Sequence, residues 1–262
     1  MALIQMNFNS RLLAMQTQVN IIIPESHKML TQDFNHKFKT LYLLHGLSND
    51  NTTYTRYTSI ERYACARNLA VVMPAVDHSF YTDMKYGHPY FSYISEELPC
   101  FMRNLFPLSE KREDNFVAGH SMGGYGSFKL ALTRPGAFAA AASMSGVMDI
   151  NYLLKDKLIK EEVLEGFNPQ SIYGESGSLS NTKHDLFHLL ERNVQDKVPL
   201  PRLLQICGTE DFLYRDNLAF RDLCRCLGVD LMYDEGKGEH TWDFWAERIK
   251  QVIDWLPLEE ES

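Results

Sequence analysis

From residue 41 onward, short unbroken apolar runs alternate with stretches of helical periodicity. The runs fall at 41–44, 69–73, 115–118, 137–143, 202–207 and 229–233. A strand with water on one face alternates apolar and polar residues, whereas a strand covered on both faces is apolar throughout. These runs therefore predict strands of a parallel sheet held between two helical layers. Helices are predicted at 59–68, 94–106, 122–133, 214–227 and 242–256. In the second of these, Leu98, Phe101, Met102 and Leu105 recur at helical spacing.

The N-terminal part differs. Residues 12–23 have β character, and 1–8 are expected to pair with them. Two strands followed by repeated strand–helix units predict an α/β fold, its sheet mostly parallel with an antiparallel N-terminal edge and helices on both faces. One region breaks the rhythm. Residues 147–198 are polar, carry Gly166, Pro169, Gly174 and Gly177, and show no clear strand. About fifty residues is too long for a plain loop in a compact domain. A helical, cap-like insertion over one end of the sheet is expected there, within a single domain spanning 1–262.

Composition narrows the function classes. A length of 262 residues suits one α/β domain. Hydrophobic residues at 45% and charged residues at 23% exclude a disordered or fibrous chain. The 26 basic and 34 acidic residues give a net charge of −8 with no basic run. Nucleic acid and anionic membrane surfaces are poor partners for such a chain. No apolar run approaches the roughly 18 residues of a membrane span, and the N-terminus lacks the apolar core of a signal peptide. The five cysteines are odd in number and lack zinc-site spacing. They read as reduced thiols of a cytoplasmic protein. The acidic charge and apolar C-terminal helix are compatible with a monomer or a closed homo-oligomer.

The chemistry is carried by Gly119-His120-Ser121-Met122-Gly123, a G-x-S-x-G pattern placed between a predicted strand and a predicted helix. That context matters more than the pattern. A nucleophilic serine needs a tight, strained turn, and the flanking glycines let backbone approach without a Cβ clash. The alternative is a glycine-rich turn with a helix-capping serine. A serine hydroxyl also needs a base, and the base an orienting carboxylate. Three histidines follow Ser121: His184, His188 and His240. His184 and His188 are spaced i, i+4, which could hold a metal but reads better as a surface pair. His240 follows a strand and a polar loop, and is the expected base. For the acid, Asp211 and Glu210 compete in the loop after the 202–207 strand. Asp211 is preferred because it lies deeper in the loop and Asp is the commoner partner; Asp216 comes third.

Acyl transfer also needs donors aimed at a developing oxyanion. The backbone N–H of Met122 is one candidate, and Leu47 in His45-Gly46-Leu47-Ser48 supplies the other. His45 reads as structural. Tyr81, Met84, Tyr86, Tyr125 and Trp242 are candidate pocket walls, each weighed against being a core side chain. Asp83 is a candidate polar contact without an assigned role.

Six segments occur in order: His45-Gly46-Leu47, Phe80-Tyr81-Thr82-Asp83, Tyr93-Ile94-Ser95-Glu96-Glu97-Leu98-Pro99, Gly119 to Gly124, Cys207-Gly208-Thr209-Glu210-Asp211 and His240-Thr241-Trp242. Together they resemble the esterase D group of α/β-hydrolases, most closely the bacterial tributyrin esterases, over about 10–256. The resemblance implies a serine carboxylesterase acting on short-chain acyl esters with no metal or organic cofactor. It implies Ser121, Asp211 and His240 as triad and Leu47 and Met122 as oxyanion donors. S-formylglutathione hydrolases belong to the same broad group but commonly carry a histidine where this chain has Tyr125. That thioesterase is the runner-up, beside an acyltransferase on the same triad and a non-catalytic binding protein.

Overall fold

The computed structural model describes residues 1–25, 37–155, 167–175 and 177–258. Eight strands form one sheet: β1 (Ala2–Ser10), β2 (Met15–Ile23), β3 (Lys39–Leu44), β4 (Leu69–Pro74), β5 (Asn115–His120), β6 (Ala140–Met144), β7 (Arg202–Gly208) and β8 (Leu231–Gly236). Their spatial order is β1-β2-β4-β3-β5-β6-β7-β8. β2 pairs antiparallel with both β1 and β4, and every other pairing is parallel. The expected mostly parallel sheet with an antiparallel N-terminal edge is what forms.

The central strands are apolar throughout because both their faces are covered. Leu41 and Leu43 of β3 pack with Ile60, Ile249 and Val252, from helices Ile60–Ala66 and Trp242–Trp255 on one side. Tyr42 and Leu44 face the other way, toward helices Leu98–Leu105, Met122–Thr133, Leu186–Gln195 and Tyr214–Cys226. This is the period-two alternation of a strand expressed as two cores.

Several bounds shift from expectation. The strand expected at 137–143 is Ala140–Met144. The last strand is Leu231–Gly236 rather than 229–233. It lies at the edge of the sheet and is nowhere fully buried, so its polar Asp234 and Glu235 resembled a loop. The helix expected at 94–106 starts earlier, at Tyr90–Ser92, and passes through a π-helical turn at Tyr93–Glu97 before Leu98–Leu105. The Glu97 carboxylate at the end of that turn accepts the Arg11 and Leu12 N–H groups of the β1–β2 connection. A short helix, Thr53–Tyr57, was not foreseen; its polar residues carry no apolar periodicity. Among the described residues of 147–198, the helices are Ile150–Lys155, Pro169–Tyr173 and Leu186–Gln195. Residues 156–166, Gly166 among them, and 176 lie outside the described residues.

Candidate active site

Ser121 stands where β5 turns into helix Met122–Thr133, with φ 53° and ψ −120°. A non-glycine residue held there is strained, and the packing around it maintains that strain. A Cβ on Gly119 would strike the Gly123 carbonyl group, and one on Gly123 would strike the Leu44 carbonyl. Glycine at both places lets the helix start lie directly on the ends of β5 and β3. The Ser121 N–H donates to the Met144 carbonyl at 2.9 Å.

Two other loops at the same end of the sheet complete the group. His240 precedes helix Trp242–Trp255, and its Nε2 lies 2.9 Å from Ser121 Oγ. Its Nδ1 lies 2.9 and 3.1 Å from the two carboxylate oxygens of Asp211, in the loop after β7. Asp211 has a buried side chain and also accepts the Leu213 N–H at 2.8 Å. The competing acids point elsewhere. Glu210 is paired with Lys237 at 4.0 Å, and Asp216 accepts the Asp149 N–H at 2.9 Å.

The loop after β3 is fixed from several sides. The His45 imidazole accepts the Val76 N–H through Nε2 and donates through Nδ1 to the Gly46 carbonyl. The Tyr81 hydroxyl donates to the His45 carbonyl at 2.8 Å. Burial pushes His45 down to about 4, so the ring is neutral near pH 7. The Gly46 N–H donates to His120 Nε2 at 3.2 Å. His120 is buried; its Nδ1 meets the Tyr54 hydroxyl at 2.8 Å, and Asn49 also reaches Nε2 at 2.8 Å. Burial holds the His120 ring well below the usual histidine range, so it too is neutral. Leu47, next in the loop, borders the cavity above Ser121. Met122 opens the helix, where the first intrahelical bond runs from Tyr125 N–H to the Ser121 carbonyl. Its N–H therefore precedes the helix's own acceptors.

The cavity has a volume of about 380 Å³. Leu47, Phe80, Val147, Leu153 and Leu213 give it apolar walls; Phe212 and Trp245 stand against His240, and Trp242 against His120. Ser48, Asn49 and Thr241 contribute polar atoms, and no Lys, Arg, Asp or Glu lines it among the described residues.

Trp242 stands in the cavity wall. Two other expected walls are corrected. Tyr81 and Tyr125 are fully buried, the first bonded to the His45 carbonyl and the second to the His184 carbonyl at 2.8 Å. Their hydroxyls find internal partners, which leaves the rings in the core. Met84 packs on the core, and Tyr86 is exposed with its N–H on the Ser171 carbonyl. Asp83 accepts from the Ser92 N–H and hydroxyl, at the start of the π-turned helix. His184 and His188 do not share a helix face. His184 lies before the Asp185 cap, and its Nδ1 is 3.3 Å from Nζ of the buried Lys129. Phe80, Val147, Leu153 and Phe212 were missed. Phe212, an apolar residue directly after the expected acid, was the one with a readable signal.

The geometry invites comparison with known proteins. The model of the family described as "Putative esterase" matches residues 10–256. The chain belongs to this esterase family. A curated acetyl esterase of Caldicellulosiruptor saccharolyticus is 30% identical over 261 residues, 98% of each chain. Among solved structures, fluorophosphonate-binding serine hydrolase F of Staphylococcus aureus is 43% identical with a TM-score of 0.92, over 97% of this chain and 98% of that one. An S-formylglutathione hydrolase of Staphylococcus aureus is likewise 43% identical over the same shares, with a TM-score of 0.86. The fold is that of an α/β-hydrolase, and the esterase is a carboxylic ester hydrolase. No helix among the described residues is long and apolar enough to cross a membrane.

Proposed function

We propose that this esterase hydrolyses short-chain acyl esters, acetyl to butyryl, through an acyl-enzyme on Ser121. The observation that carries the reading is the hydrogen-bonded line from Ser121 Oγ through His240 to Asp211. Ser121 Oγ attacks the ester carbonyl while His240 Nε2 takes its proton. Asp211 holds the ring with Nδ1 protonated and stabilises the imidazolium. The N–H groups of Leu47 and Met122 receive the oxyanion, helped by the positive end of helix Met122–Thr133. His240 then protonates the leaving alcohol, and water, activated the same way, releases the acid.

The space available supports the short-chain preference. A cavity of about 380 Å³ holds both halves of the ester, and Phe80, Val147 and Leu153 close its apolar side. Val147 and Leu153, from the start of the region read as a cap-like insertion, contribute to that side. The five unpaired cysteines support a reducing, cytoplasmic setting.

Hydrolysis of p-nitrophenyl esters from acetate to octanoate, wild type beside Ser121→Ala, tests the reading. Activity that falls beyond butyrate and is lost by a factor of about 10⁴ or more in the variant is expected. Near-normal activity of Ser121→Ala sinks it. A second reading, hydrolysis of S-formylglutathione, draws support from the 43% identical structure described by that activity. The uncharged cavity lining tells against it, since glutathione brings two carboxylates and an ammonium group.

A further inference from the structure

A general acid must lie within hydrogen-bond reach of the oxygen it protonates. On the reading of His240 as that acid, the leaving alcohol sits against His240 and the side chains around it. These are aromatic. The Phe212 ring centroid is 4.5 Å from the imidazole and that of Trp245 4.8 Å. Trp242 meets Trp245 edge-on at 5.5 Å. Tyr57 stacks on Trp242 at 5.1 Å with 22° between the planes, extending the aromatic surface outward.

Two of these rings face water. Phe212 is 38% exposed and Tyr57 51%, whereas the aliphatic walls Val147 and Leu213 are buried. The exposure of Phe212 is built in. Its neighbours Asp211 and Leu213 are buried and joined by the Leu213 N–H to Asp211 bond, so the residue between them turns out toward the cavity. Large aromatic faces left open beside a reactive group mark a binding surface. Thr241 and Asn49 supply hydroxyl-compatible partners at its edge, and no charged side chain lines the cavity among the described residues.

We infer that Phe212 and the Trp242–Tyr57 stack form a leaving-group subsite for a neutral ring, whether an aryl group or the apolar face of a pyranose. The acyl half then lies against the buried walls Phe80, Val147 and Leu153. The inference names the alcohol that the proposed esterase reaction releases, and it rests on that reaction.

The test compares acetates of alcohols with similar basicity: benzyl acetate, methyl 6-O-acetyl-glucopyranoside and propyl acetate, with S-formylglutathione beside them. At least one ring-bearing acetate is expected to exceed propyl acetate in kcat/KM by about tenfold. Activity on benzyl acetate alone identifies an aryl site, and on the glucoside alone a sugar site. Phe212→Ala should cut the ring-to-propyl ratio by about fivefold and Tyr57→Ala by about twofold. Across an acyl series on one alcohol, the chain-length order should stay as in wild type, because these substitutions alter the surface met by the alcohol and not the one met by the acyl chain. An unchanged ratio in both variants, a changed chain-length order, or S-formylglutathione preferred over every acetate overturns the inference. Labelling of Ser121 by a fluorophosphonate is measured in parallel. Unlabelled Ser121 with no acetate turned over brings down the hydrolytic reading itself, while a labelled, active enzyme without ring preference brings down the subsite alone.

Discussion

The Gly46 N–H donates to Nε2 of His120, the residue immediately before Ser121. Together with the Asn49 contact to the same nitrogen, this bond joins the loop that carries Leu47 to the turn that carries the serine. A Cβ on Gly46 would stand 2.6 Å from that nitrogen, so Gly46→Ala must push the two loops apart. Loss of one aligned oxyanion donor costs about 10²–10³ in kcat. Gly46→Ala is expected to show a loss of that order with a smaller change in KM and an intact circular dichroism spectrum. A KM effect with kcat preserved would place the loop in ground-state binding instead.

Asp211 is buried and accepts from both His240 and the Leu213 N–H. Asp211→Asn keeps the shape and an acceptor for Leu213, but its amide favours the wrong imidazole tautomer. Steady-state kinetics should show kcat down by about 10³–10⁴, with a melting temperature close to wild type. Retention of more than a tenth of the activity would move the role to another acid.

Asp216 is the buried acid without a catalytic assignment. Its Oδ1 accepts the Asp149 N–H, while Oδ2 is buried with no hydrogen-bond partner among the described residues. Burial, with Asp149 nearby, pushes its carboxyl up to about 7. The folded value lies above the ordinary one near 4, so between those values the folded chain keeps a proton that the unfolded chain releases. Stability is therefore lost as pH rises through that window and levels off above it. Asp216→Asn removes the titration and should gain on wild type from pH 5 to 8, by about 3 kcal/mol. Thermal melts of both proteins at the two pH values check this; a constant gap would show that Asp216 is ionised throughout.

The parts of the fold that were legible in the sequence are those whose residues are constrained twice. β4 and β5 are buried at every position, so their runs were readable. Ser121 was legible because the glycines around it answer a local steric need. The edge strand β8, open to water, left a mixed pattern and was misplaced by several residues. The aromatic cavity wall was the least legible part. Phe80 and Tyr81 are adjacent and both left-handed, at φ 49° and 48°, yet Phe80 reaches the cavity and Tyr81 is buried beneath His45. Only the path of the folded loop separates them. Similarly, Tyr125 could not be known as internal before the carbonyl of His184, 59 positions away, was seen to meet its hydroxyl.

The absence of a charged side chain from the cavity lining also governs how substrate arrives. The chain carries a net charge of −8, so an anion approaches through a repulsive field that no cationic side chain in the described cavity lining corrects. A neutral ester meets neither attraction nor barrier. Its capture rate is set by diffusion and orientation and is indifferent to ionic strength, whereas an anionic thioester would be captured faster as added salt shortens the reach of the field.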